Sequence, residues 1–169
     1  MAGSAKQKHA ETGSVAGAMA LLGGKDTFGG TLTTPLDAHT AIISGIPSFA
    51  LTSLFHKVAL LQRAEVVEKA LGMSVRTVQR QKKAMEENPR RKGPAAPRLS
   101  PEQGGRAWKF AEILSKATEV FGSQAEAEAF LDRPAMGLNQ NRPIDLLSTP
   151  AGVEIVETHL ERIKYGVYA

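Results

Sequence analysis

Residues 71–83, which read LGMSVRTVQRQKK, constrain the fold more than any other stretch of the chain. Gly72 can adopt the positive φ that ends a helix and turns the backbone sharply. Ser74 can then cap a second helix by accepting a bond from a free backbone N–H. On that helix Val75, Val78 and Met85 share one side, while the side chains at i, i+3, i+4 and i+7 on another side are Arg76, Gln79, Arg80 and Lys83. The stretch predicts a tight turn followed by a helix with one packing face and one basic face.

Two further helices are predicted ahead of this turn, over residues 49–61 and 63–71, and the three together have the pattern of a helix-turn-helix. In that motif the second helix enters the major groove, so Val75, Arg76, Gln79 and Arg80 are predicted to face the bases. Lys83 and its neighbour Lys82 are better placed for phosphates. A plain packing unit with a solvated basic surface stays an alternative.

Two positions of the motif favour that alternative. A helix-turn-helix usually carries a small residue where this chain has Glu68, so that its two helices can approach closely. It usually carries an apolar residue where this chain has Gln81.

The charge distribution also indicates nucleic-acid binding. The whole chain of 169 residues has a formal net charge of +4. Residues 57–98 contain eleven Lys and Arg against four Glu, whereas the remainder is slightly acidic. A compact basic segment in an otherwise acidic chain is the electrostatic footprint expected of a DNA-binding region.

Composition argues against most other functional classes. The chain has no cysteine and four scattered histidines, so neither a thiolate site nor a metal site is predicted. Its glycine pairs form no phosphate-binding or dinucleotide motif, and no catalytic constellation is recognisable. No cofactor and no enzymatic activity are predicted. No apolar run is long enough to cross a membrane, and a signal peptide is rejected, which together favour the cytoplasm.

The remaining pattern predicts an all-α protein in four parts. Residues 1–35 are rich in Gly, Ala, Ser and Thr and are predicted to be a flexible arm with a short helix at 15–22. Residues 36–87 form the helix-turn-helix domain. Residues 88–105, with their prolines and glycines, are predicted to be an exposed linker. Residues 106–169 form a small C-terminal helical domain.

The C-terminal domain is predicted to end in an amphipathic helix capped by Thr149, with Pro150 at its first position. The apolar stripe of this helix consists of Val153, Val156, Leu160 and Ile163. Beyond it, Tyr165 and Tyr168 bring two aromatic rings to the chain end. Composition alone leaves open whether this end is frayed or covered by a partner.

Several ordered blocks of the chain resemble the Xre-like antitoxins of RES–Xre toxin–antitoxin modules, which carry an Xre/MbcA/ParS toxin-binding domain. The resemblance covers about residues 40–169. It rests on GMSVRTVQR at 72–80, LSPE at 99–102, FLDRP at 130–134, RPIDLLSTPAG at 142–152 and RIKYGVYA at 162–169. The chain departs from the family at Phe130, where tryptophan is usual, and at Gly104-Gly105-Arg106.

The resemblance implies a dimerising helix-turn-helix domain that binds its own promoter and a C-terminal domain that covers the active site of an NAD-consuming RES-domain toxin. Carried over by position, the DNA-facing residues are Arg76, Thr77, Gln79 and Arg80. The toxin-facing residues are Arg162, Lys164, Tyr165, Gly166, Val167, Tyr168 and Ala169. A homodimer through the helical domains is implied as well. The alternative is a stand-alone transcriptional regulator whose C-terminal half only dimerises.

Overall fold

The computed structural model describes residues 13–87 and 96–166. These residues are mainly helical, with two isolated β-bridges and no strand among them, so the predicted all-α class is confirmed. The described helices are α1 (residues 13–21), α2 (Lys25–Phe28), α3 (Pro35–Ile43), α4 (Phe49–Lys57), α5 (Ala64–Leu71), α6 (Val75–Glu87), α7 (Pro101–Phe121), α8 (Gln124–Asp132), α9 (Pro143–Leu146) and α10 (Pro150–Lys164). Single 3₁₀ turns lie at Ala59–Gln62 and Met136–Leu138.

The first described residues correct the prediction of a flexible arm over 1–35. Helix α1 and the turn that follows it bury Val15, Ala18 and Leu22 in the core. It lies so close to α7 that a Cβ at Gly17 would come 1.8 Å from the Ser115 hydroxyl oxygen. The absence of a side chain at that position lets the two helix backbones approach. The expected short helix is present and structural, and residues 1–12 lie outside the described part.

Helices α5 and α6 lie at the predicted positions and are joined by the three-residue turn 72–74. Gly72 ends α5 in the left-handed conformation, with φ of 62°, and its N–H donates to the carbonyl of Glu68. The Ser74 hydroxyl accepts the N–H of Thr77 at 3.2 Å, which caps α6. Helix α4 contacts α6 and so closes this unit.

The prediction of an exposed linker over 88–105 is wrong for residues 101–105. Residues 101–105 form the first turns of α7, where Ser100 and Gln103 make a reciprocal capping box and Pro101 occupies the first position. Ahead of them, the N–H of Leu99 donates to the carbonyl of Ile46 at 2.8 Å. Gly104 is buried against Ile46. The glycines therefore lie within the helix and do not break it, and residues 88–95 lie outside the described part.

The two predicted halves share one core instead of being separated by a linker. A continuous cluster of buried side chains runs from Val15 in α1 to Leu160 in α10. Helix α7 supplies its middle, where Trp108, Phe110 and Leu114 are almost fully buried. Helix α7 also contacts α3, α5, α8 and α10. Residues 36–87 and 106–169 therefore pack as neighbours around this core.

A buried carboxylate connects the two predicted halves. Glu128 in α8 is 9% exposed and accepts the N–H of Leu60 at 2.8 Å. We expect Glu128→Ala to lower the free energy of unfolding by about 1–3 kcal/mol, because the buried N–H of Leu60 would lose its acceptor. Urea denaturation would measure the change. Glu126→Ala, at an exposed position of the same helix, is the control and should cost less than about 1 kcal/mol. Equal losses for both variants would contradict this account of Glu128.

Candidate DNA-binding and partner-binding surfaces

Four of the residues predicted to contact DNA lie together on the exposed side of α6. Arg76, Gln79, Arg80 and Lys83 are all exposed. The opposite side of α6 carries Val78, which is buried and packs the helix against the core. The geometry thus presents three cations and one amide in a row on a protruding helix, as major-groove contact would require.

Two other predicted DNA-contacting residues are less available. Val75 and Thr77 are half-buried. The Thr77 hydroxyl lies 3.0 Å from that of Ser74, so it takes part in the helix cap. Thr77 therefore positions α6 in this conformation.

The two positions that depart from the usual motif, Glu68 and Gln81, differ in burial. The Glu68 side chain is exposed and does not separate α5 from α6. Gln81 is half-buried, and its side-chain carbonyl oxygen is buried without a hydrogen-bond partner among the described residues. Such an oxygen is costly to bury. The Lys82 ammonium lies 4.5 Å from the ring centroid of Phe55, so Lys82 packs on α4 as well as carrying charge.

The second candidate surface is the C-terminal end of α10. Arg162 and Gly166 are exposed, and Tyr165 is 60% exposed. Lys164 is exposed too, with its ammonium 3.3 Å from a carboxylate oxygen of Glu119 in α7. Gly166 has φ of 65°, which turns the chain away from the helix axis. The predicted contact residues Val167, Tyr168 and Ala169 lie outside the described part.

Helix α10 is held rigidly behind this end. The Thr149 hydroxyl caps it by accepting the N–H of Gly152 at 3.1 Å, as the sequence predicted. Glu157 lies 2.8 Å from the ammonium of Lys116 and 3.5 Å from that of Lys109. Burial opposes ionisation of Glu157, but the hydrogen bond from Lys116 and the two positive charges outweigh it and keep its pKa below the ordinary value. The exposed end therefore projects from a fixed base.

A network of ion pairs joins the helix-turn-helix to the C-terminal helices, and sequence reasoning missed it. The guanidinium of Arg142 lies 2.9 Å from Asp145, 3.3 Å from Asp132 and 3.4 Å from Glu65. Lys69 of α5 lies 2.6 Å from Asp145. The RPID block at 142–145 was visible as a family motif, but nothing in sequence spacing indicates that its partners are on α5.

This network makes stability depend on pH. The hydrogen bond from Arg142, aided by Lys69, lowers the pKa of Asp145 despite partial burial. Because the pKa is lower in the folded chain, the stabilisation is fully present above about pH 4 and is lost as pH falls through the folded value. We expect Asp145→Asn to be less stable than the parent at pH 7, with a difference that shrinks towards pH 2.5. Urea denaturation between pH 2.5 and 7 measures the difference in unfolding free energy. A difference that stays constant over this range would contradict the stabilising role of the Asp145 ion pairs.

Comparison with known proteins found a family match in the C-terminal half of the chain. Residues 116–166 match the family described as Antitoxin Xre/MbcA/ParS C-terminal toxin-binding domain. Over these residues the chain is similar to the toxin-binding domain of Xre/MbcA/ParS antitoxins. A curated relative named Antitoxin Xre, from Yersinia enterocolitica serotype O:8 / biotype 1B (strain NCTC 13174 / 8081), is 29% identical over 73 residues. That alignment covers 43% of this chain and 49% of the relative, so the chain spans about half the length of the curated relative it matches.

The matched segment begins within α7 and includes α8, α9 and α10, together with Arg162, Lys164, Tyr165 and Gly166. The helix-turn-helix lies outside the match. None of the described helices combines the length and apolar character needed to cross a membrane.

Proposed function

We propose that this chain is the antitoxin of a type II toxin–antitoxin system and neutralises a RES-domain toxin. The observation that carries the proposal is the exposed end of α10, which presents Arg162, Tyr165 and Gly166 within a domain whose family is described as toxin-binding. An exposed aromatic next to a cation is typical of residues that dominate protein–protein binding. The name of the Yersinia relative supports the same function.

The proposed mechanism is steric. Toxins of the resembled modules consume NAD, and the last helix with residues 165–169 would cover the cleft where NAD enters. The base of α10 is fixed by Glu157 and its two lysines, so little conformational entropy is lost when the end of the helix inserts. The chain needs no cofactor and no catalytic activity for this role, and it would act in the bacterial cytoplasm.

The test establishes whether a RES-domain protein is encoded beside this gene and then co-expresses the two proteins. We expect the two proteins to co-purify, NAD consumption by the RES-domain protein to stop, and growth to be restored. If the pair neither co-purifies nor restores growth, the antitoxin proposal fails. A gene with no such neighbour would favour the alternative, a stand-alone transcriptional regulator whose C-terminal half only dimerises.

We also propose that the chain binds its own promoter as a homodimer through α6. The row of Arg76, Gln79, Arg80 and Lys83 on the exposed face of α6 supports this, as does the basic charge of residues 57–98. Two-fold symmetric dimers match palindromic operators whose half-sites lie one helical turn apart. Light scattering of the purified chain would establish whether it is a dimer.

Arg80→Ala tests base readout. Arginine can donate two bonds to one guanine, and we expect its loss to weaken binding to the promoter fragment by about 1–3 kcal/mol while leaving binding to unrelated DNA nearly unchanged. Lys83→Ala is the matched control on the same face. It should weaken binding to both DNAs alike, because a phosphate contact carries no sequence preference. Fluorescence anisotropy at fixed salt measures both variants, and equal losses for Arg80→Ala on the two DNAs would refute base readout.

A further inference from the structure

Exposed apolar side chains are concentrated in the C-terminal domain. Among the described residues, five large apolar or aromatic side chains are strongly exposed, namely Leu36, Ile43, Met136, Ile155 and Tyr165. Tyr165 already belongs to the proposed toxin contact. Met136, at 85%, is the most exposed of the five, and Ile155 is 51% exposed. Exposed apolar groups that cluster are a mark of interaction surfaces.

Met136 and Ile155 belong to different elements, but both lie near His159. Met136 begins the 3₁₀ turn Met136–Leu138, which contacts α10. The next residue, Gly137, lies so close to His159 that an added Cβ would be 2.4 Å from the imidazole Cε1. Ile155 lies one helical turn before His159 on α10. Met136 and Ile155 are therefore both neighbours of His159, Met136 through Gly137 and Ile155 along α10, and the three residues are called the Met136–Ile155–His159 surface.

This surface is continuous with the end of α10. Ile155, His159 and Arg162 lie at i, i+4 and i+7 on α10, so they follow one side of the helix. The 3₁₀ turn adds Met136 beside them, and Tyr165 lies at the far end. The proposed contact at Arg162–Gly166 is thus the last part of a longer strip that begins at Ile155.

Between Ile155 and Arg162 the strip carries almost no charge. His159 stacks on Phe130, with ring centroids 6.0 Å apart. Burial, and secondarily the charge of Arg162, lower its pKa, so its imidazole is neutral near pH 7. The nearby acids are engaged elsewhere or lie on other sides of α10; Glu157, for example, pairs with Lys109 and Lys116. A complementary partner surface would be apolar and would carry a carboxylate opposite Arg162.

We propose that Met136, Ile155 and His159 form a second contact with the RES-domain toxin, on an apolar toxin surface outside its active-site cleft. This inference rests on the proposed function, and it adds a second binding surface to the tail that covers the cleft. The two contacts have different roles. Residues 165–169 block the cleft, while the Met136–Ile155–His159 surface supplies affinity that does not depend on the cleft.

The test compares Met136→Glu and Ile155→Glu with Ile43→Glu. Ile43 is the matched control, since it is 59% exposed, undergoes the same change as Ile155 and lies on α3 outside the matched segment. Titration calorimetry with the RES-domain protein encoded beside this gene measures the affinity of each variant. We expect the first two variants to bind about tenfold or more weakly, as interface anchors do, with Ile43→Glu unchanged. Circular dichroism melting confirms that each variant is folded.

The outcomes separate the inference from the function on which it rests. If the parent chain does not bind the RES-domain protein, the proposed function fails and the second contact fails with it. If the parent binds and both glutamate variants bind equally well, only the second contact is refuted. A shift of Ile155→Glu from dimer to monomer in light scattering, at unchanged toxin affinity, would also refute it by assigning the surface to a second copy.

Discussion

Replacing Gly152 by alanine is expected to lower the free energy of unfolding by about 2–3 kcal/mol and to weaken toxin binding. Gly152 lies in the first turn of α10, and an added Cβ would be 2.0 Å from the carbonyl oxygen of Leu146. Since that atom is backbone, it cannot rotate aside, and α10 must shift away from α9. Thermal or urea denaturation measures the loss of stability, and affinity for the RES-domain protein measures its effect on the exposed end of α10.

The control is the same substitution at Gly105 in α7. There the nearest atom to an added Cβ is the Cγ2 of Ile42 at 3.8 Å, an ordinary contact. Alanine is also the better helix former, so Gly105→Ala should be neutral or stabilising by up to about 1 kcal/mol. If Gly152→Ala proved as stable as Gly105→Ala, the close contact between α9 and α10 would be disproved.

Ending the chain at Lys164 is expected to abolish neutralisation of the toxin while leaving the fold intact. The deletion removes Tyr165 and the rest of the segment proposed to cover the cleft, for an expected loss of at least about a hundredfold in affinity, or about 3 kcal/mol. Stability should hardly change, because Tyr165 and Gly166 are exposed and the base of α10 is anchored by Glu157. Growth rescue and calorimetry with the RES-domain protein are the measurements.

Single substitutions at Tyr165 refine this prediction. Tyr165→Ala should lose much of the affinity that the deletion loses, whereas Tyr165→Phe, which keeps the ring, should lose less. A truncated chain that binds as tightly as the parent and still rescues growth would disprove the role of the tail. Because the Met136–Ile155–His159 surface remains in this variant, residual weak binding without rescue would agree with both contacts.

Local signals in the sequence predicted the helix ends well. Gly72 and Gly122 stop α5 and α7 in left-handed conformations, and Thr149 with Pro150 starts α10. Each of these depends on backbone chemistry within four residues, which sequence alone contains. The exposed face of α6 was predictable for the same reason, since Arg76, Gln79 and Arg80 follow the helical period.

Long-range packing was not predictable from the same signals. The N-terminal residues were judged flexible because small side chains give no strong periodicity, yet Gly17 is small so that α1 can approach α7. Pro101 and Gly104 are residue types that usually break helices, yet proline suits the first helical turn and Gly104 lies inside α7. The ion pairs Arg142–Glu65 and Lys69–Asp145 join residues 77 and 76 positions apart in the sequence. Only the fold reveals such pairs.

The packing of α1 also has a consequence for timing during protein synthesis. The Ser14 hydroxyl donates to the carboxylate of Glu112, 98 positions later in the sequence. At bacterial and eukaryotic translation speeds this interval lasts about 5–20 seconds. Until α7 has emerged from the ribosome, Val15, Ala18 and Leu22 lack much of the surface that buries them. The growing chain therefore carries an exposed apolar helix, open to chaperones and proteases until α7 is available.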